Sequence, residues 1–167
     1  DNVAPALFGG LTASAVEAGI PLSVHYPLSP KLHFTALIPP FELSTALSRG
    51  VLPHDVPRTD AIFNVSRAAL LLSALGSGDI ALLRAAMADR LHEPYRRALI
   101  DGYDTARGLA YKHGAEAMCI SGAGSTLLCV AAHPTLAGDI SADLAAHLPG
   151  WRAVTLLPEL EGAHVEE

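Results

Sequence analysis

The loop Ser121-Gly122-Ala123-Gly124-Ser125-Thr126 lies between two apolar runs, AEAMCI and LLCVAA. Gly122 and Gly124 can take positive φ, so successive backbone N–H groups can converge on an anion such as a phosphate. The same glycines equally suit a hairpin turn with no ligand. A nucleophilic role for Ser121 is disfavoured, because CISGAG is not GxSxG and no strand-turn-helix context exposes the hydroxyl. The loop is also neither GxxxxGKS/T nor a GxGxxG that opens a helix. In STALSRGVLP, Thr45 and Arg49 stand four apart and share one face of a short helix. A hydroxyl beside a planar guanidinium can grip a carboxylate; a capping threonine beside a solvated arginine is the plainer alternative. In DRLHEPYRRALI, Pro94 interrupts the helical run, so Arg96 and Arg97 begin a segment and either aim at a site or lie on a solvated face. Asn64, Ser66 and Arg67 interrupt an otherwise apolar helix, where a buried charge needs a partner. Asp89 or Glu93 can supply it, and substrate contact is the bolder reading. None of the eight histidines has HxH, HxxxH or HExxH spacing, so no metal site is expected.

These residues need elements to hold them. KLHFTALIP reads as a strand stopped by Pro39-Pro40. FELSTALSRGVLP follows as a helix capped by Ser44 or Thr45 and stopped by Gly50. RTDAIFNVSRAALLLSALG reads as a helix capped near Thr59 or Asp60 and ended by Gly76. Its apolar later circumference predicts burial. Asp79 caps a further helix that breaks at Pro94, and DTARGLAYKHG is a short helix with Gly114 past its end. Strand AEAMCI, the glycine loop, strand LLCVAA, helix DISADLAAHL (cap Asp139 or Ser141) and strand WRAVTLL complete the chain. With consecutive helices collapsed into one layer, the order is β, α, β, β, α, β. That order predicts an α+β fold: a ferredoxin-like split βαβ sandwich with an antiparallel sheet, helices on one face, and extra helices. The first 29 residues, a short helix followed by strand and loop, do not close into a unit of their own.

A chain of 167 residues suits one domain, or one domain with a piece of another, and can bury roughly 70% of its unfolded surface. Half the residues are hydrophobic and 17% are charged, which favours a compact globule over disorder. The formal net charge of -6 disfavours a nucleic-acid partner. No apolar run approaches the ~20 residues of a membrane span, and DNVAPALFGG lacks the positive n-region of a signal peptide. A cytoplasmic location is the expectation. Cys119 and Cys129, symmetric about Gly124, would lie close on neighbouring strands of a regular hairpin as free, buried thiols.

The stretches DNVAPALFGGLTAS, STALSRGVLP, DAIFNVSRAALLLSAL, DRLHEPYRRALI and MCISGAGSTL, in this order and at these spacings, resemble the homoserine kinases, a family within the GHMP small-molecule kinases. SGAGST matches the superfamily's third motif, while STxxxRxxLP and HEPYR match the homoserine kinases in particular. The resemblance implies ATP- and Mg2+-dependent phosphorylation of the L-homoserine hydroxyl, a step toward threonine. It implies substrate binding by Thr45, Arg49 and Arg96, the two arginines clamping the amino-acid carboxylate. It also implies a phosphate loop of Ser121, Gly122, Ala123, Gly124 and Ser125. Position 125 is usually proline in that family, so Ser125 is a departure that bears on loop rigidity.

The family's N-terminal domain, with its PxxxGLGSSA nucleotide loop, has no counterpart in these residues. The expectation is therefore a C-terminal portion, with 1–29 a remnant of the N-terminal domain and 30–167 the C-terminal domain. ATP and Mg2+ contacts would lie mostly outside the chain, which would be inactive alone, and no general base can be named in it. Two other readings stand beside this one: a GHMP kinase for another small alcohol such as mevalonate or shikimate, and a non-catalytic amino-acid-binding regulatory domain. A homodimer is compatible with a small soluble enzyme.

Overall fold

The computed structural model describes residues 3–165; Asp1 and Asn2, which open the first stretch of the resemblance, lie outside the described residues. Helix α1 (Val3–Phe8) leads into an antiparallel hairpin of β1 (Leu11–Glu17) and β2 (Ile20–Tyr26), which forms a two-stranded sheet by itself. Its turn residues Ala18 and Gly19 both have positive φ, matching the right-handed twist of a tight hairpin. What the sequence offered as one strand plus loop is thus two paired strands.

The rest follows as β3 (His33–Ile38), α2 (Thr45–Gly50), α3 (Arg58–Ser77), α4 (Ile80–Ala86), α5 (Glu93–Arg96), α6 (Tyr103–Lys112), β4 (Ala115–Ile120), β5 (Leu127–Ala131), α7 (Leu136–His147) and β6 (Arg152–Leu156). A 3-10 turn, Arg97–Leu99, continues α5. The strands order as β4-β5-β3-β6 and every pairing is antiparallel, which is the ferredoxin-like arrangement expected from the element order.

Strand alternation divides the core in two. Leu37, Met118, Ile120, Leu127 and Cys129 pack with Tyr103, Ala106 and Leu109 of α6 and Leu136, Ile140 and Leu144 of α7. Ala117 and Val130 pack on the other side with Ala74 of α3 and Leu83 and Ala86 of α4, with Phe34 alongside. The helices therefore form two layers, one on each face, rather than the single layer that collapsing them assumed. Here β4 and β5 carry apolar residues at successive positions, so both faces need cover.

Helix boundaries differ where tertiary contacts override local signals. α3 starts directly after Pro57 with no side-chain cap, and it ends at Gly78 (φ 73) rather than Gly76. Gly76 stays helical beside Pro27, where an added Cβ would lie 3.3 Å from the carbonyl oxygen. Only Ala74 of α3 is buried, while Val65 is 73% exposed and Ile62 and Leu70 are also exposed, so the expected burial of this helix is not met among the described residues. The helix capped by Asp79, whose side chain accepts from the Leu82 amide, ends at Ala86. Pro94 then sits in the first turn of α5, where its missing N–H costs nothing. α7 is preceded by Thr135, whose hydroxyl donates to Asp139, and not capped by Asp139 or Ser141.

Met118 pairs with Cys129 and Cys119 with Leu128, so the two thiols occupy opposite faces instead of adjoining. Both are free. Burial, with the Glu93 and Asp89 charges adding to it, pushes Cys119 up to about 12, and burial pushes Cys129 up to about 12. Lys112 Nζ and His113 Nε2 both donate to Asp143 Oδ2, at 2.6 and 2.9 Å, joining the end of α6 to α7. These two bonds hold the Asp143 carboxyl at about 2.

The core and the open helix faces give opposite expectations for substitution. Leu144, 1% exposed under α7, should lose about 2–5 kcal/mol on replacement by alanine. Gly138 of α7 has no neighbouring atom within 4 Å of an added Cβ, so Gly138→Ala should gain about 0.5–1 kcal/mol. Urea unfolding monitored by circular dichroism checks both signs.

Candidate functional site

Helix α2 forms because Ser44, in extended conformation (φ -67, ψ 137), accepts a hydrogen bond from the Leu47 amide at 3.1 Å. That cap fixes Thr45 as the first helical residue and Arg49 one turn on, and both side chains are exposed. Between them, Ser48 is fully buried and its Oγ has no hydrogen-bond partner among the described residues.

Arg96 comes from α5 and is half-buried. Its Nε donates to the Ser48 carbonyl at 3.0 Å and its Nη1 to the Gly122 carbonyl at 3.1 Å, while His92 Nδ1 stands 3.4 Å from Nη1. One guanidinium therefore joins α2 to the glycine loop, across 48 residues in one direction and 26 in the other. The three stretches singled out in the sequence meet here.

The loop itself closes through Ser121 N to Thr126 O at 2.9 Å and Gly124 N to Ser121 O at 3.0 Å. Gly122 (φ 58) and Gly124 (φ 88) are left-handed, as the turn requires. Around Gly122 an added Cβ would meet nothing within 4 Å, whereas at Gly124 it would press on Ile120 and Ile100. Ser121 is exposed and Ala123 partly so. The Gly122 and Ala123 amides have no hydrogen-bond acceptor among the described residues. Ser125 is turned inward: it is buried, and its hydroxyl donates to the Phe41 carbonyl at 2.7 Å. Its side chain ties the loop to the segment before α2.

What holds α5 in place was only partly visible beforehand. Asp89 Oδ2 accepts from the amides of His92 (2.8 Å) and Glu93 (2.6 Å), satisfying donors at the helix N-terminus, and Oδ1 accepts from Asn64 Nδ2 of α3 at 2.6 Å. Burial alone would raise the Asp89 carboxyl, but the Glu93 and His92 amides, with Asn64, outweigh it and hold it below its ordinary value. Asn64 Oδ1 also accepts from the Arg90 amide at 2.9 Å. The charge expected to pair with Asp89 or Glu93, that of Arg67, pairs with neither among the described residues; the α3 partner of Asp89 is the uncharged Asn64. Arg67 instead stacks over Phe63 at 3.8 Å and donates to Ser66.

Glu93 Oε1 accepts from Tyr103 Oη at 2.9 Å and from the Ile120 amide at 3.2 Å. Burial first, and the Glu93 charge second, push the Tyr103 phenol well above its usual value, so it stays a donor. The sequence signal for this arrangement is an acidic residue four positions before Glu-Pro, an N-terminal capping pattern. Two cavities lie behind α5: one of about 360 Å3, lined by Arg84, Arg97, Arg107 and Tyr111, and one of about 240 Å3, lined by Arg67, Leu71 and Cys119. Neither is lined by Thr45, Arg49 or Arg96. Among the described residues no cluster of three metal-ligating side chains exists.

Residues 71–150 match the family described as GHMP kinases, C terminal. Together with the sheet order and the glycine loop after β4, this makes the fold that of a GHMP kinase C-terminal domain. Within that class the chain is similar to homoserine kinases. It is 46% identical to the homoserine kinase of Moorella thermoacetica over 128 residues, which is 77% of this chain and 43% of the relative. Against the homoserine kinase of Microchaete diplosiphon it is 40% identical over 166 residues, 99% of this chain and 53% of the relative. The crystal structure of homoserine kinase from Cytophaga hutchinsonii superposes with a TM-score of 0.87 at 25% identity, covering 96% of this chain and 52% of that one. The chain spans about half the length of the curated relatives it matches.

The Asp89 cap has a measurable signature. Because its carboxyl is held below the ordinary value of 3.8, its contribution is complete above that value and is lost as pH falls through the folded value. Asp89→Ala should lower stability by about 1–2 kcal/mol at neutral pH. The difference between variant and wild-type unfolding midpoints should shrink as the pH is taken below 3.8.

Proposed function

We propose that this chain is the acceptor-binding part of an ATP-dependent homoserine kinase, which transfers a phosphoryl group to the hydroxyl of L-homoserine. The observation that carries the proposal is the Arg96 bridge, which holds the Thr45–Arg49 helix and the SGAGST loop against one another in a chain similar to homoserine kinases. A small amino acid and a transferring phosphate need this adjacency.

Phosphoryl transfer asks a protein mainly for positioning and for stabilisation of charge. Arg49 is exposed and makes no side-chain hydrogen bond or ion pair among the described residues, so its whole donor fork is free for a ligand carboxylate. Arg96 has committed Nε and Nη1 to protein carbonyls and offers Nη2. Arg49 is thus the bidentate partner and Arg96 the single-point one, with the Thr45 hydroxyl, at the start of the same helix, orienting the substrate. The Gly122 and Ala123 amides fit a phosphate group, since both lack protein acceptors and Gly122 is open. ATP, when bound, supplies the γ-phosphoryl group. In this reading α1 and the β1–β2 hairpin, within residues 1–29, belong to a companion domain and residues 30–167 form the acceptor-side domain.

ADP release by the full-length product, given ATP, magnesium and L-homoserine, mevalonate or shikimate in turn, tests the assignment. Turnover with homoserine alone supports it; silence with all three removes it. A charge-assisted hydrogen bond is worth about 1.5–3 kcal/mol, so Arg49→Ala should lower kcat/KM for homoserine by roughly ten- to a hundredfold. An unchanged value would take Arg49 out of the carboxylate clamp.

A further inference from the structure

We propose that Glu93, which touches neither the acceptor nor the phosphate, is the positioning residue that sets the glycine loop and Arg96 in register, acting through the Ile120 amide and the Tyr103 hydroxyl. The inference rests on the acceptor-site reading above and adds to it a residue with no ligand contact.

The argument is one of spacing. Glu93 and Arg96 are one turn apart on a four-residue helix, so they share a face. Glu93 accepts from Ile120 N, the last residue of β4, and Arg96 donates to Gly122 O, two residues further along. α5 therefore holds the entry of the loop at two points of opposite polarity, an amide N–H and a carbonyl oxygen. A helix this short has almost no stability of its own, and its placement must come from side-chain bonds. Asp89 fixes its N-terminus, and Glu93 fixes its direction by reaching at once to α6 through Tyr103 and to β4 through Ile120. Without the Glu93 acceptor, the Ile120 amide and the phenol are left unsatisfied, and α5 is free to turn about the Asp89 end. Arg96 lies at the far end of that rotation, where small angular freedom becomes displacement of the group that binds the acceptor. A misplaced binding group weakens one substrate in particular.

The test uses the full-length enzyme with Glu93→Gln, Glu93→Ala and Tyr103→Phe, each assayed for the KM of acceptor and of ATP. The amide of glutamine keeps an oxygen acceptor in the same place, so Glu93→Gln should stay within about threefold of wild type. Glu93→Ala should raise the acceptor KM about tenfold or more, with the ATP KM moved less than about twofold. Tyr103→Phe, which removes one donor and no packing, should move the acceptor KM about two- to fivefold in the same direction and keeps the test valid if the alanine variant does not fold. Equal damage from glutamine and alanine, an acceptor KM untouched by Glu93→Ala and Tyr103→Phe, or parallel losses for both substrates would overturn the role. Amide hydrogen exchange gives a reading independent of turnover: protection at Ile120 should fall about tenfold or more in Glu93→Ala and be retained in Glu93→Gln. Retained protection in the alanine variant would likewise overturn it. Failure of the wild-type enzyme to use homoserine would instead remove the acceptor-site reading, leaving the exchange result to decide whether Glu93 holds the loop.

Discussion

The candidate site rests first on a single carboxylate, that of Asp89, which anchors the start of α5. It receives three hydrogen bonds, two from the start of α5 and one from α3. Through them a helix of four residues acquires a fixed origin. The contacts that α5 makes at the candidate site then follow from where it points: Arg96 to the turn of α2, Arg96 to Gly122, Glu93 to the end of β4. The sheet supplies the frame on which these ends meet. Since β3 and β5 are neighbours, the segment leaving β3 toward α2 and the loop entering β5 emerge at the same edge, and Ser125 joins them through Phe41.

The second organising fact is that the sheet is covered on both faces but unevenly. The α6–α7 layer contains the larger closed core, with Leu37, Leu127, Leu136, Ile140 and Leu144 almost wholly buried. The α3–α4 layer closes only near the C-terminal part of α3, through Leu71, Ala74 and Leu75. Upstream, α3 presents Ile62 and Val65 outward, and β2 likewise presents Ile20, Leu22 and Val24. Among the polar residues of α3, Asn64 is turned inward and bonds Asp89, and Arg67 beside it is half-buried.

Much of the architecture was legible in the chain. Short apolar runs bounded by prolines or by the glycine loop marked β3, β4 and β5, and Ser44 and Asp79 announced their helices as caps because capping is a local interaction. Pro94 has two possible meanings in the sequence: proline ends a helix when it falls inside one and begins a helix when it falls in the first turn, and the break at Met87 shows that the second applies. The burial of α3 was likewise out of reach, since apolar composition states a preference for cover without naming the element that provides it. At the site, Thr45, Arg49, Arg96 and the glycine loop could be picked out by residue type and spacing. Their junction could not, because Arg96 reaches carbonyl oxygens, which every residue carries, at Ser48 and Gly122. Asp89 and Glu93 were named only as partners for charges on α3, and their actual partners are mostly backbone amides.

The placement of the two cysteines has a use outside catalysis. Thiols react as thiolates, and burial pushes both here up to about 12, which lowers the thiolate fraction that an alkylating reagent meets at neutral pH. Cys129 is fully buried and is reached only when the α6–α7 layer lifts from the sheet, whereas Cys119 is partly exposed and lines the smaller cavity beside α3. Cys129 is thus a native clock whose labelling rate reports how often the α6–α7 side of the sheet opens, with the partly exposed Cys119 on the opposite face as its internal reference.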